Sequence, residues 1–123
     1  MLNILILGDE LDKSAEWSFK KQEYNVSYVG GHAEVFDVLK LSPPDIFIVD
    51  LCVSSDERLE LMCDIKTSYG DFIKMIAIIP ERRSALPEEA LVKAKKLSGN
   101  NPMKKPIRTR DVILAVQKAL DSK

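Results

Sequence analysis

Three runs of apolar residues cross the chain without a polar interruption: Ile4-Leu5-Ile6-Leu7, Ile46-Phe47-Ile48-Val49 and Met75-Ile76-Ala77-Ile78-Ile79. A strand with one face in water alternates apolar and polar residues. Continuous runs therefore predict strands covered on both faces, as in a parallel sheet held between helices. A weaker strand is expected from Asn25 to Val29, and a short, poor one around Pro102 to Lys104. Between the strands the apolar spacing becomes helical. Val112, Ile113, Val116, Ala119 and Leu120 form one stripe, and Ala90, Leu91, Ala94 and Leu97 form another. Pro87, followed by Glu88 and Glu89, suits a first helical turn, where a missing N–H costs nothing and negative charge meets the helix dipole. Leu61, Met62, Ile65 and Tyr69 mark a third helix, Val35, Val38 and Leu39 a fourth before Pro43-Pro44, and Ala15 with Phe19 a fifth after Asp12. Strand followed by helix, five times, with right-handed crossovers, predicts an α/β fold: a five-stranded parallel sheet doubly wound with helices on both faces.

The chain has 123 residues, the size of one domain, and neither a repeat nor a flexible linker divides residues 1–123. It ends soon after its last helical stripe, so it is expected to act alone, without an attached output domain. With 46% hydrophobic and 30% charged residues it reads as an ordinary globular protein. No apolar stretch is long enough for a bilayer, and Met1 runs directly into the first strand with no basic leader, so no membrane association and a cytoplasmic location are expected. A net charge of −1 supplies no field to attract nucleic acid, although up to Gly70 there are 6 basic and 13 acidic residues and after it 12 and 6. Cys52 and Cys63 form neither a close pair nor a disulfide framework and read as small core residues of a reduced protein.

Candidate chemistry gathers where the strands end. The first strand runs into Gly8-Asp9-Glu10, the third stops at Asp50, and the last is followed by Lys105-Pro106. Ligands of open α/β sheets bind beyond the carboxyl ends of the strands, so with strands one and three as neighbours two carboxylates and one ammonium share a crevice. Each residue also has a plainer reading. Asp50 could cap the next loop, Asp9 could serve the following helix as an anion, and Lys105 could make a surface pair or bend the chain with Pro106. His32 opens a helix with no partner at a useful spacing, which supports neither a metal centre nor a hydrolase. Gly30-Gly31 reads as a turn, and Trp17 falls off the stripe of its helix.

Three segments, NILILGDEL (residues 3–11), PPDIFIVDL (residues 43–51) and KKPI (residues 104–107), resemble the receiver domains of response regulators in order and spacing, and together they span the chain. The resemblance implies the flavodoxin-like strand order 2-1-3-4-5 and a signalling domain, not an enzyme beyond self-catalysed phosphoryl transfer and dephosphorylation. It makes Asp50 the phosphoacceptor, attacking the phosphorus of a phosphohistidine on a histidine kinase or phosphotransfer protein. It assigns Asp9, Asp50 and the main-chain carbonyl of Cys52 to Mg²⁺, and Lys105 to the phosphoryl group. Such charge neutralisation is what phosphoryl transfer requires.

The departures from that pattern bear on function. Gly8 stands where an acidic residue is usual, which weakens a Mg²⁺ site. Ile79, followed by Pro80, replaces a Thr or Ser hydroxyl, and Pro102 replaces the aromatic switch residue; neither offers a donor or a swinging ring. Val53-Ser54-Ser55 stands where Met-Pro-Gly is common. The basic set Lys93, Lys95, Lys96, Lys104, Arg108 and Arg110 would lie on the last two helices and last strand, a face that suits an acidic protein partner or simply solvent. Two alternatives stay open: a degenerate receiver that binds protein without phosphorylation, and a flavodoxin-like small-molecule domain with an apolar pocket at the crevice.

Overall fold

The three apolar runs form the centre of one parallel sheet in the computed structural model, which describes residues 2–8, 23–52, 54–80, 82, 86–99, 102–105 and 109–121. Strands β1 (Asn3–Leu7), β2 (Asn25–Val29), β3 (Ile46–Asp50), β4 (Lys74–Ile79) and β5 (Met103–Lys104) pair in the order β2-β1-β3-β4-β5. Between and after them run α1 (His32–Leu41), α2 (Ser55–Tyr69), α3 (Glu88–Leu97) and α4 (Thr109–Asp121), with a 3₁₀ turn at Gly70–Phe72. The helix expected around Ala15, Trp17 and Phe19 lies outside the described residues, as do Asp9, Pro106 and Arg108.

Alternation within each strand explains why the runs are unbroken. Leu5, Leu7, Phe47, Val49, Met75 and Ala77 point to one side and pack with Val35 and Leu39 of α1, Leu61, Met62 and Ile65 of α2, and Ala90 and Ala94 of α3. Ile4, Ile6, Ile46, Ile48, Ile76 and Ile78 point to the other and pack with Val112 and Val116 of α4. Within the three apolar runs neither side of the sheet meets water, so polar residues appear only at the strand ends, Asn3, Asp50 and Lys74. Burying each such side chain is worth about 1.5–3 kcal/mol. The edges read differently: β2 alternates in burial, and β5 is two residues long, with Met103 buried and Lys104 exposed.

Some local expectations are corrected. Pro87 is not in the first turn of α3 but at its N-cap, with ψ 147 placing it outside the helix, and Glu88 and Glu89 form the turn. Leu120 is 47% exposed, off the buried stripe of α4. The cysteines are not core residues: Cys63, one step round α2 from buried Met62, is turned to solvent, and Cys52 is half-buried beside Asp50. His32 begins α1 and packs on Phe36 with ring centroids 5.8 Å apart. Among the described residues no helix is long and apolar enough to cross a membrane.

Candidate functional site

Two successive carbonyls of β4 hold the tips of its neighbours. The Leu51 N–H donates to the Ile78 carbonyl at 2.9 Å, and the Lys105 N–H donates to the Ile79 carbonyl at 3.0 Å. One bond fixes the residue after Asp50, the other fixes Lys105, and the two side chains meet across the end of β4. Lys105 Nζ lies 3.1 Å from Asp50 Oδ2. The other carboxylate oxygen, Oδ1, accepts the Cys52 N–H at 2.9 Å, and the main-chain carbonyl of Asp50 accepts Arg58 Nη1 at 2.6 Å. Asp50 is thus tied to β4, to its own turn and to α2.

Asp50 is only 6% exposed, the sole ionisable side chain among the buried described residues. Burial alone would raise its pKa. The Cys52 N–H, the Cys52 thiol and the Lys105 ammonium outweigh burial and hold the carboxyl below its ordinary value. Burial would lower the Lys105 pKa, and contact with Asp50 reverses this and raises it. Both groups are charged at neutral pH. The Cys52 thiol is pushed up by burial and by the Asp50 carboxylate, so it stays protonated and is no activated nucleophile.

Gly8 changes meaning in three dimensions. Its φ is +149, and a Cβ built there would lie 2.7 Å from Asp50 Cβ and 3.6 Å from Asp50 Oδ2. Asp50 occupies the space that a side chain at position 8 would need. In this arrangement the lack of an acidic residue there therefore also avoids a clash, which the sequence did not reveal. Ile79 is 9% exposed and belongs to the core on the α1–α3 side, so it presents apolar surface where a hydroxyl was the comparison. Pro102 is half-buried immediately before β5.

Of the expected basic set, Arg108 lies outside the described residues and the lysines border three different hollows. Lys93 lines a groove between α2 and α3 with Asp56, Glu60 and Glu89; Lys96 lines a cavity at the opposite end of the sheet; Lys104 shares a small apolar cavity with Lys95, Ile79, Pro80, Leu86 and Leu91. Arg58 was missed altogether: it sits within the charged run Asp56-Glu57-Arg58, which looks like a solvated helix face, and no spacing rule singles it out.

The resemblance implies Mg²⁺ at this site. The described residues bring one carboxylate, Asp50, with one oxygen on the Cys52 N–H and the other on Lys105. Among them no group of three His, Cys, Asp or Glu side chains is placed to hold a metal. Gly8 contributes none, and Asp9 lies outside the described residues. Of the ligands that the resemblance assigns to the ion, the described residues supply Asp50 and the main-chain carbonyl of Cys52, and no step below runs through it.

No family model matches the chain, and no curated protein matches it. Solved structures do. A response regulator from Thermotoga maritima superposes with a TM-score of 0.74 at 18% identity, covering 98% of each chain. A response regulator signal receiver domain from Bermanella marisrubri gives 0.75 at 15% identity, over 96% of this chain and 97% of that one. NtrX from Brucella abortus, solved with ADP, gives 0.77 at 18% identity, over 98% of this chain but only 26% of the larger protein. At such identities the likeness speaks for the fold, and with the observed strand order it establishes that this chain has the receiver-domain fold of response regulators.

Proposed function

We propose that the chain is a receiver module of two-component signalling that accepts a phosphoryl group on Asp50 and passes the signal by binding another protein. The observation that carries the reading is the 3.1 Å contact between Asp50 Oδ2 and Lys105 Nζ, which joins the tips of β3 and β5 across β4. Oδ1 is held by the Cys52 N–H, so Oδ2 is the oxygen that turns to phosphorus. In the step, Oδ2 bonds to the phosphorus of a donor phosphohistidine while the P–N bond breaks and its electron pair returns to the imidazole. Lys105 exchanges its carboxylate partner for an oxygen of the transferred group, which neutralises charge where it accumulates. The donor is a histidine kinase or a phosphotransfer protein.

The test is beryllofluoride with Mg²⁺, which mimics an acyl phosphate. Saturable amide shifts at Leu51, Cys52 and Lys105, abolished in Asp50→Asn, are the expected result; unchanged spectra would remove the phosphoacceptor role. A second reading, a protein-binding module that needs no phosphorylation, draws support from buried Ile79 and from Pro102. Without a hydroxyl or a mobile ring at these places, the phosphorylated and free forms differ little in contacts, so phosphorylation shifts the conformational equilibrium only weakly.

A further inference from the structure

The first turn of α2 reaches back to the tip of β3. Arg58 Nη1 donates to the Asp50 main-chain carbonyl at 2.6 Å, a short charge-assisted bond made by a half-buried side chain. The Arg58 N–H closes the first helical turn on the Ser54 carbonyl at 3.0 Å. Ser54 has φ 50, a left-handed conformation that a residue with a Cβ keeps only where its surroundings fix it. Asp50 also lies one residue past the last β1 partner, Val49, so the ladder to β1 has ended where Arg58 takes hold. Among the described residues no side-chain hydrogen bond joins Asp50 to α3 or α4, whereas Arg58 joins it directly to α2.

We propose that Arg58 is a positioning residue of the Asp50 site, holding the tip of β3 against α2 so that a displacement of the tip is carried into that helix. A guanidinium on a main-chain carbonyl fixes the backbone from which the carboxylate projects, and the turn whose N–H holds Oδ1 is built on the same backbone. Because Arg58 is itself in the helix, a movement of the Asp50 carbonyl pulls on the first turn of α2. Its effect on phosphoryl transfer rests on the reading of Asp50 as phosphoacceptor; its mechanical role does not.

Two variants separate the contributions. Arg58→Met keeps the aliphatic stem and removes every donor, and Arg58→Gln keeps a donor without the charge. The perturbation is Asp50→Asn, and amide spectra are compared with it in each background. With Arg58 present, the shifts extend into residues 55–59; with Arg58→Met they stop within residues 50–52, and Arg58→Gln restores their reach. Shifts that enter α2 equally with Met, or that never enter it with Arg58 present, overturn the proposal. Labelling from acetyl phosphate is expected to slow about tenfold in Arg58→Met and to stay near the parent rate in Arg58→Gln. Equal rates in Arg58→Met overturn the positioning role. Thermal unfolding of each variant separates these changes from general loss of structure. If the parent protein takes no phosphoryl group at all, the phosphoacceptor reading fails while the spectral comparison still decides the role of Arg58.

Discussion

The two ends of the sheet each carry an ion pair, and the shorter one is the less informative. At the end where the strands begin, Lys66 Nζ lies 2.6 Å from Asp71 Oδ1, with side chains 46% and 81% exposed. At the other end Lys105 and Asp50 are 3.1 Å apart, but the Asp50 side chain is 8% exposed. Water screens the first pair and does most of its work. Asp50 has given up most of its hydration, and so depends on the groups that replace it. Burial and convergence, not distance, separate a site from a surface contact. The charges around the first pair have a structural reason: Lys66, Lys74, Lys96 and Lys118 line a cavity of about 170 Å³ at this end, and three of them stand in the last turns of α2, α3 and α4, where positive charge offsets the helix dipole. Asp56, Glu57, Glu88 and Glu89 sit in the first turns of α2 and α3 at the opposite pole.

Changes at the two ends should separate accordingly. The largest effect is expected at Gly8, where Gly8→Asp adds the acidic residue that the resemblance expects. Its Cβ would collide with Asp50 at a backbone angle that side chains rarely adopt, and the cost should be about 2–3 kcal/mol in urea unfolding. Stability equal to the parent's would show that the first loop is free to rearrange. Next is Lys105→Met, which leaves the Asp50 carboxylate buried without its cation. Allowing for the exposure of Lys105, the loss should be about 1–2 kcal/mol, and most of it should return in the double variant Asp50→Asn/Lys105→Met. A double variant as unstable as the single would argue against coupling.

The pH dependence follows in sign from the same pair. The carboxyl of Asp50 is lowered in the folded protein, so its contribution is present above the unfolded value of about 3.9 and is lost as pH falls through the lower folded value. Lys105 is raised, so its contribution is present below the unfolded value of about 10.4 and is lost as pH rises through the higher folded value. Asp50→Asn should flatten the acid limb of the stability curve, and an unchanged limb would contradict the assignment. The smallest effect belongs to the exposed pair: Asp71→Asn should leave the urea midpoint unchanged, and a clear shift would mean that the pair is held more rigidly than its exposure suggests.

Much of the fold could be read along the chain because its physics is local. Doubly buried strands need unbroken apolar runs, and α1 to α4 follow the stripes that cover them, whereas β5 is short because it is a two-residue edge beside β4. Asp50 and Lys105 were legible as polar residues at strand ends. What stayed hidden depends on contacts between distant segments. Gly8 read as a lost charge until the position of Asp50 Cβ showed that a side chain there would have to displace its surroundings. Arg58 read as part of a solvated run until its bond to the Asp50 carbonyl appeared. Cys52 and Cys63 read as core because cysteine is often buried, but one faces solvent and the other borders the site.

Intact-mass measurement after incubation with acetyl phosphate and Mg²⁺ tests the central claim most directly. Asp50 paired with Lys105 predicts a gain of one phosphoryl group in the parent protein, none in Asp50→Asn and a much slower gain in Lys105→Met. A parent protein that gains nothing, or a gain that survives Asp50→Asn, would contradict it.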